Sequence, residues 1–229
     1  GRPLVERPPF RAPHHTASTA AIVGGGPGPQ PGEASLAHQG VLFLDELAEF
    51  YRPALEALRQ PLEDGAIEIA RAQGRALFPA RFVLVGTMNL CPCGGRGDPA
   101  AECSCSAQRI AAYRDKLSRA LLDRFDLLVH VPRARAAELN GSPGEPSSAV
   151  RKRVEAASMR LRDPPQLSET AAALLTRAVD SLPLSGRGRA RVARVAGTIA
   201  ALAGAQSIGA DHLAEALSYR SPAELGPGA

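Results

Sequence analysis

The chain has 229 residues, 45% of them hydrophobic, which at roughly 150 residues per domain means one large domain or one with a small companion. Its formal charge of +4 is a mild excess that permits a polyanionic partner without requiring one. No apolar run approaches the ~20 residues that span a bilayer and no export signal is visible, which excludes a membrane-spanning helix and leaves a cytoplasmic location as the expectation. The chain opens on Gly1 rather than Met and reads as processed, trimmed or a fragment.

Residues 1–33 are rich in Pro and Gly and predict loops with a short hairpin or helical turn. Within them, His14 and His15 would point to opposite faces if extended, so they read as polar residues at a pore or interface rather than as a ligand pair. Residues 41–47, Val-Leu-Phe-Leu-Asp-Glu-Leu, are a short apolar strand that ends in two carboxylates, Asp45 and Glu46. Leu55, Leu58 and Leu62 share one face of a helix predicted over 52–64, started by Pro53 and stopped by Gly65. Residues 66–71 and 75–80 predict a β-hairpin with Arg71 and Arg75 near its tip. A second apolar strand over 82–88 ends at Asn89. A Cys-rich loop, a helix over 107–122 and a third strand from Leu127 to Val131 follow. The Pro/Gly/Ser-rich segment 141–147 reads as a linker between residues 1–140 and 148–229. Beyond it the pattern is all helix: about 148–162, 168–181, 187–204 and 211–219. Strands alternating with helices, then a helical bundle, describe an α/β domain followed by an α domain.

A parallel strand that delivers adjacent acids at its carboxyl end suits a P-loop ATPase: Asp45 on the water shell of Mg2+, Glu46 on the attacking water. The plainer reading is a core strand followed by an acidic helix start. Asn89, at the end of the next strand, is a polar amide that can hold that water beside the γ-phosphate of ATP; by itself it is equally a turn residue. Arg124, between Asp123 and Asp126, reads either as a structural ion pair or as a finger that reaches a neighbouring subunit's nucleotide. Arg187 starts a helix in a stretch where Arg187, Arg189, Arg191 and Arg194 fall within eight residues; it could report nucleotide state through domain motion. All four cysteines, Cys91, Cys93, Cys103 and Cys105, lie in one loop. Four thiolates can close a tetrahedral Zn2+ site, against which stands a loop of four reduced thiols.

Taken together, several stretches resemble the ComM/YifB family of magnesium-chelatase-like AAA+ ATPases: Arg-Pro-Pro-Phe-Arg-Ala-Pro-His-His-Thr (7–16), Val-Gly-Gly-Gly (23–26), Pro-Gly-Glu-Ala-Ser-Leu-Ala-His (31–38), Gly-Val-Leu-Phe-Leu-Asp-Glu-Leu (40–47), Leu-Glu-Ala-Leu-Arg-Gln-Pro-Leu-Glu-Asp-Gly (55–65), Phe-Pro-Ala-Arg-Phe (78–82), Cys-Pro-Cys-Gly (91–94) and Leu-Leu-Asp-Arg (121–124). Ser-Gly-Arg (185–187) and Val-Ala-Gly-Thr-Ile-Ala (195–200) resemble the family's lid. The resemblance implies the C-terminal part of a P-loop AAA+ parallel-sheet core with a β-hairpin insert, followed by an all-α lid. It implies a Walker B pair at Asp45 and Glu46, sensor 1 at Asn89, an arginine finger at Arg124 and sensor 2 at Arg187. It further implies a homo-hexameric ring that hydrolyses ATP with Mg2+, acts on DNA as a branch-migration helicase in recombination and competence, and faces the pore with the 66–80 hairpin, where Arg71 and Arg75 would touch DNA.

The sequence departs from the family pattern in three places. Its 229 residues hold no Gly-x-x-x-x-Gly-Lys-Ser/Thr phosphate loop, and no Lys occurs before Lys116. Leu90 stands where the family has Pro, and Arg119-Ala120 where it has Gly-Pro. The missing loop predicts a chain inactive by itself. Two other functions compete: a magnesium-chelatase-type ATPase subunit that drives metal insertion, and a catalytically inactive interaction module.

Overall fold

The structure, a computed structural model, describes residues 7–26, 28–71, 74–134, 136–142, 144–182 and 184–220. It divides into two units, residues 1–125 and 126–229. In the first, Phe10–Arg11 (β1) leads through a loop to Thr19–Val23 (α1), capped by the Ser18 hydroxyl, which accepts from the Ala21 N–H at 3.2 Å. Gly24–Gly25 (β2) pairs antiparallel with Gln30–Pro31 (β3), and Glu33–Leu36 (α2) follows. Both the hairpin and the helical turn expected of residues 1–33 are therefore present. Only glycine fits at Gly24, where φ is +100° and a Cβ would lie 2.4 Å from the Gln30 carbonyl oxygen. The Arg11 guanidinium donates twice to Glu33, at 2.6 and 2.7 Å, and ties β1 to α2.

Val41–Leu44 (β4) is the central strand of a three-stranded, all-parallel sheet in the order β1-β4-β7, where β7 is Val83–Gly86. Alternation puts Leu42 and Leu44 on one face, both fully buried, against Ile22, Leu55, Leu58 and Leu121. Each such leucine contributes about 1.5–3 kcal/mol of burial. β7 lies at the edge of these three strands, and its Val83 and Val85 are exposed.

Where a single helix over 52–64 is expected, there are two, Arg52–Ala57 (α3) and Pro61–Asp64 (α4). Pro61 has no N–H to return to residue 57, so it ends the first helix and starts the second. Ala66–Arg71 (β5) and Gly74–Pro79 (β6) form the expected hairpin, with register from Ala66↔Pro79 to Arg71↔Gly74. Its tip, Ala72 and Gln73, lies outside the described residues.

The helix expected over 107–122 is likewise divided, into Ala107–Arg114 (α5) and Arg119–Leu122 (α6). Ser118 sits in extended conformation and caps α6 by accepting from the Leu121 N–H at 3.1 Å, which interrupts the helical ladder.

In the second unit, Leu127 to Val131 is not a strand: its residues have no ladder partner among those described, and Leu127, Val129 and Val131 are exposed. Apolar alternation predisposes a chain to a strand, but a strand exists only beside a neighbour that exchanges hydrogen bonds. Ala136–Leu139 (α7) and Ser147–Arg160 (α8) are followed by Gln166–Leu167 (β8), Glu169–Ser181 (α9), Gly186–Ala203 (α10), Ser207–Ile208 (β9) and Ala210–Ser218 (α11). The expectation of pure helix is corrected by β8 and β9, which pair in parallel. Ser168 and Ser185 cap α9 and α10, accepting from the Ala171 and Gly188 N–H groups at 3.2 and 3.0 Å. The core is small and aliphatic: Ala171, Leu175, Val192, Ala196, Ala200, Leu213 and Ala216. No helix among the described residues is long and apolar enough to cross a membrane.

Candidate nucleotide site and cysteine cluster

Parallel pairing sends β4 and β7 out of the sheet side by side. Leu44 opposes Gly86, so the residues that follow each strand, Asp45-Glu46 and Thr87-Met88-Asn89, emerge at the same edge. Thr87 joins them. Its backbone N–H donates to the Leu44 carbonyl at 3.1 Å and its carbonyl accepts from the Leu47 N–H at 2.7 Å. Its hydroxyl accepts from the Glu46 N–H at 3.1 Å and donates to Asp45 Oδ1 at 2.5 Å. Glu46 takes left-handed backbone angles, φ 54° and ψ 50°, and then enters a 3-10 turn over Leu47–Glu49. A non-glycine residue held there costs on the order of 1–3 kcal/mol, which the surrounding bonds offset. The turn aims both carboxylates outward: Asp45 and Glu46 are exposed.

His15 reaches the same place. Its Nδ1 lies 3.3 Å from Glu46 Oε2 and its ring meets Phe50 edge-on at 6.4 Å. The two histidine rings lie 4.1 Å apart rather than on opposite faces, because the segment is a turn and not a strand. Sequence reasoning missed both Thr87 and the His15–Glu46 contact. A polar residue ending an apolar strand was the available signal for Thr87, but only the register β4–β7 puts it on Asp45. Nothing local signals His15.

Asn89 is exposed, and its backbone is anchored by Tyr113 of α5. The Tyr113 phenol is raised above its ordinary value by burial first and by Glu49 next, and hydrogen-bonds the Asn89 backbone. Lys116, just past α5, sits 5.6 Å over the Tyr113 ring and 3.3 Å from Glu49, which links α5 to the 3-10 turn.

The loop between Asn89 and α5 brings all four cysteines together, their sulfurs within 4.8 Å of one another. All four are free thiols, and Cys91 is buried. Cys93 is drawn down to about 6, mainly by the Gly95 N–H and then by Cys91 and Cys105. Cys103 goes up to about 11: the Cys105 N–H pulls it down, but burial and bonds to Cys91 and Cys93 outweigh that pull. One thiolate in the group thus raises the cost of the next.

The arginines stand elsewhere. Arg124 is nearly buried, with its side chain 8% exposed; it donates to the carbonyls of Arg59 and Ala120 at 3.0 and 2.5 Å and to Glu63 Oε2 at 2.6 Å. It borders an open hollow of about 350 Å³ with Glu56, Gln60, Glu63 and Asp64. Arg75 is exposed and ion-paired with Glu68 on the facing strand. The Arg71 backbone pairs with Gly74, while its side chain lies outside the described residues. Arg187, in the first turn of α10, is exposed; in the same helix Arg191 holds Asp126 at 2.9 Å.

Residues 1–139 match the family model of magnesium chelatase, subunit ChlI, and residues 158–220 match that of its C-terminal part. The chain belongs to the magnesium-chelatase ChlI family. Within this AAA+-type ATPase family it is 46% identical over 235 residues to the competence protein ComM of Haemophilus influenzae, covering 95% of this chain and 46% of that protein. It is 48% identical over 239 residues to an uncharacterized protein of Mycobacterium tuberculosis, covering 95% and 47%, and 41% identical over 232 residues to the uncharacterized protein YifB of Escherichia coli, covering 93% and 45%. The chain therefore spans about half the length of these ChlI-family relatives.

Proposed function

We propose that this chain is the carboxylate-bearing part of an AAA+ motor that hydrolyses ATP and acts on DNA as a homo-hexameric ring, in branch migration during recombination and competence. The observation that carries the reading is the grouping of Asp45, Glu46, Thr87 and Asn89 at the carboxyl edge of a parallel sheet in a chain of this family. The donor set fits the carboxylate half of a magnesium–nucleotide site: two exposed carboxylates, a hydroxyl bonded to one of them and to the backbone of the other, and an amide just past the next strand. Asp45 would hold the water shell of Mg2+, which supplies charge neutralisation at the phosphates when bound. Glu46 orients and deprotonates the attacking water, and Asn89 holds that water. Thr87 positions Asp45, and His15 positions Glu46. Thr87→Val in the full-length protein is expected to lower kcat about tenfold or more with little change in ATP affinity; an unchanged kcat would remove Thr87 from the assembly.

Arg124 acts on the neighbour's nucleotide, and Arg187 of the helical lid reports nucleotide state. The name of the Haemophilus relative, a competence protein, supports DNA over metal insertion as the load. Arg71 and Arg75 belong to the two strands of the hairpin, next to its tip, and serve as the phosphate contacts, with the hairpin facing the pore. The test is DNA-stimulated ATP hydrolysis by the full-length protein. Arg71→Ala with Arg75→Ala is expected to weaken DNA binding across all sequences and to flatten its salt dependence by about two units of the log–log slope. Unchanged affinity and slope would move the DNA contact away from the hairpin.

A further inference from the structure

The four sulfurs are arranged as a coordination shell. Cys91 to Cys93 is 3.4 Å, Cys91 to Cys103 3.6 Å and Cys93 to Cys103 3.8 Å. Four sulfurs at the zinc–sulfur distance of about 2.3 Å stand about 3.8 Å apart at the corners of a tetrahedron. Those separations are far beyond a disulfide, whose sulfurs sit at about 2.05 Å. The backbone is folded to make the shell. Gly94 and Gly97 take positive φ, 76° and 79°, closing a turn in which the Gly94 N–H returns to the Cys91 carbonyl at 3.1 Å. At Gly95 a Cβ would lie 2.9 Å from the Glu102 carbonyl oxygen, so only glycine lets the two cysteine pairs approach.

The charge of the shell is also answered. Four thiolates around a divalent ion leave a net negative charge, and backbone N–H groups point at the sulfurs. The Arg96 N–H donates to Cys91 at 3.3 Å, and Gly95 and Cys105 bond Cys93 and Cys103. Such outer bonds fix ligand orientation in thiolate metal sites. A tetrahedral all-sulfur set selects zinc, or iron, over magnesium or calcium.

We infer that Cys91, Cys93, Cys103 and Cys105 bind one structural zinc, and that this zinc is a strut that positions Asn89. The ligands begin two residues after Asn89 and end two residues before α5, whose Tyr113 bonds the Asn89 backbone. A zinc at the shell therefore fastens the exit of β7 to the start of the helix that braces it. Without the ion, the four cysteines anchor that loop through one fully buried side chain, Cys91, and weak S–H bonds among themselves. The positioning role rests on the proposed part of Asn89 in ATP hydrolysis; the metal site does not.

The experiment uses full-length, untagged protein grown with zinc. One zinc per chain is expected by elemental analysis, with a shell of four sulfurs at about 2.3 Å in X-ray absorption. Cys93→Ser and Cys103→Ser are each expected to lose zinc at least tenfold more readily to a chelator. Less than a tenth of an equivalent of metal, with four titratable thiols in folded protein, overturns the site, as does stoichiometric iron. Stripping zinc and restoring magnesium should speed amide exchange across residues 87–114 while leaving β4 protected. It should lower kcat without raising the KM for ATP, and stripping should add nothing to Asn89→Ala. Unchanged exchange at residues 87–90 overturns the strut even if zinc is present. A full-length protein that binds zinc and shows the exchange change but hydrolyses no ATP would sink the motor reading and leave the metal site standing.

Discussion

Glu46→Gln in the full-length protein is expected to leave ATP binding intact and to lower turnover about 10²–10⁴-fold, the usual worth of a positioned general base. The substitution is nearly isosteric, and the bond that places the residue uses its backbone N–H and the Thr87 hydroxyl, which Gln keeps. The left-handed backbone at Glu46 is equally open to Gln, so fold and sheet register should not change. What is lost is the ability to take a proton from water. His15 Nδ1, 3.3 Å from Glu46 Oε2, then faces a neutral amide in place of a carboxylate. The measurements are nucleotide affinity by equilibrium binding and turnover by phosphate release. Turnover within a factor of a few of the wild type would place water activation on another group.

Arg124→Ala has two expected effects, and they separate. Inside the chain it removes the Glu63 ion pair and two bonds to carbonyls. Breaking a buried pair costs about 3–5 kcal/mol, and the partial exposure of Glu63 brings the expectation down to about 1–3 kcal/mol, read as a lower unfolding midpoint. Between subunits it removes a transition-state cation, worth about 10³–10⁵ in turnover. For that second role the guanidinium must exchange Glu63 for a neighbour's phosphate, so Glu63→Gln is the control. It also breaks the ion pair but keeps the cation, and is expected to lower stability while retaining turnover. Rings that mix Arg124→Ala with Glu46→Gln subunits should regain part of the activity at interfaces where an intact Glu46 faces an intact Arg124. If Glu63→Gln loses as much turnover as Arg124→Ala, or no mixture restores activity, Arg124 is a structural residue only.

Legibility in the sequence followed the range of the forces involved. Strand β4, the hairpin, β7 and the four long helices were readable because periodicity and caps act within a few residues. The breaks at Pro61 and Ser118 rest on local signals too, a missing N–H and a capping hydroxyl; at 52–64 the spacing of Leu55, Leu58 and Leu62 across the break hides the first. The strand expected at 127–131 failed for the opposite reason: its alternation is real, but a strand needs a partner that no local pattern can supply.

The same division runs through the site. The amino-acid sequence by itself determined the chemistry: which groups could be acids, which strand ends carry them, and that four thiols share one loop. The tertiary structure decided what those groups touch. Parallel register set Thr87 on Asp45, a turn brought His15 to Glu46, and burial committed Arg124 to Glu63. Contacts across 41, 42, 31 and 61 residues of chain depend on the packing of the whole core, which is why no short stretch announces them.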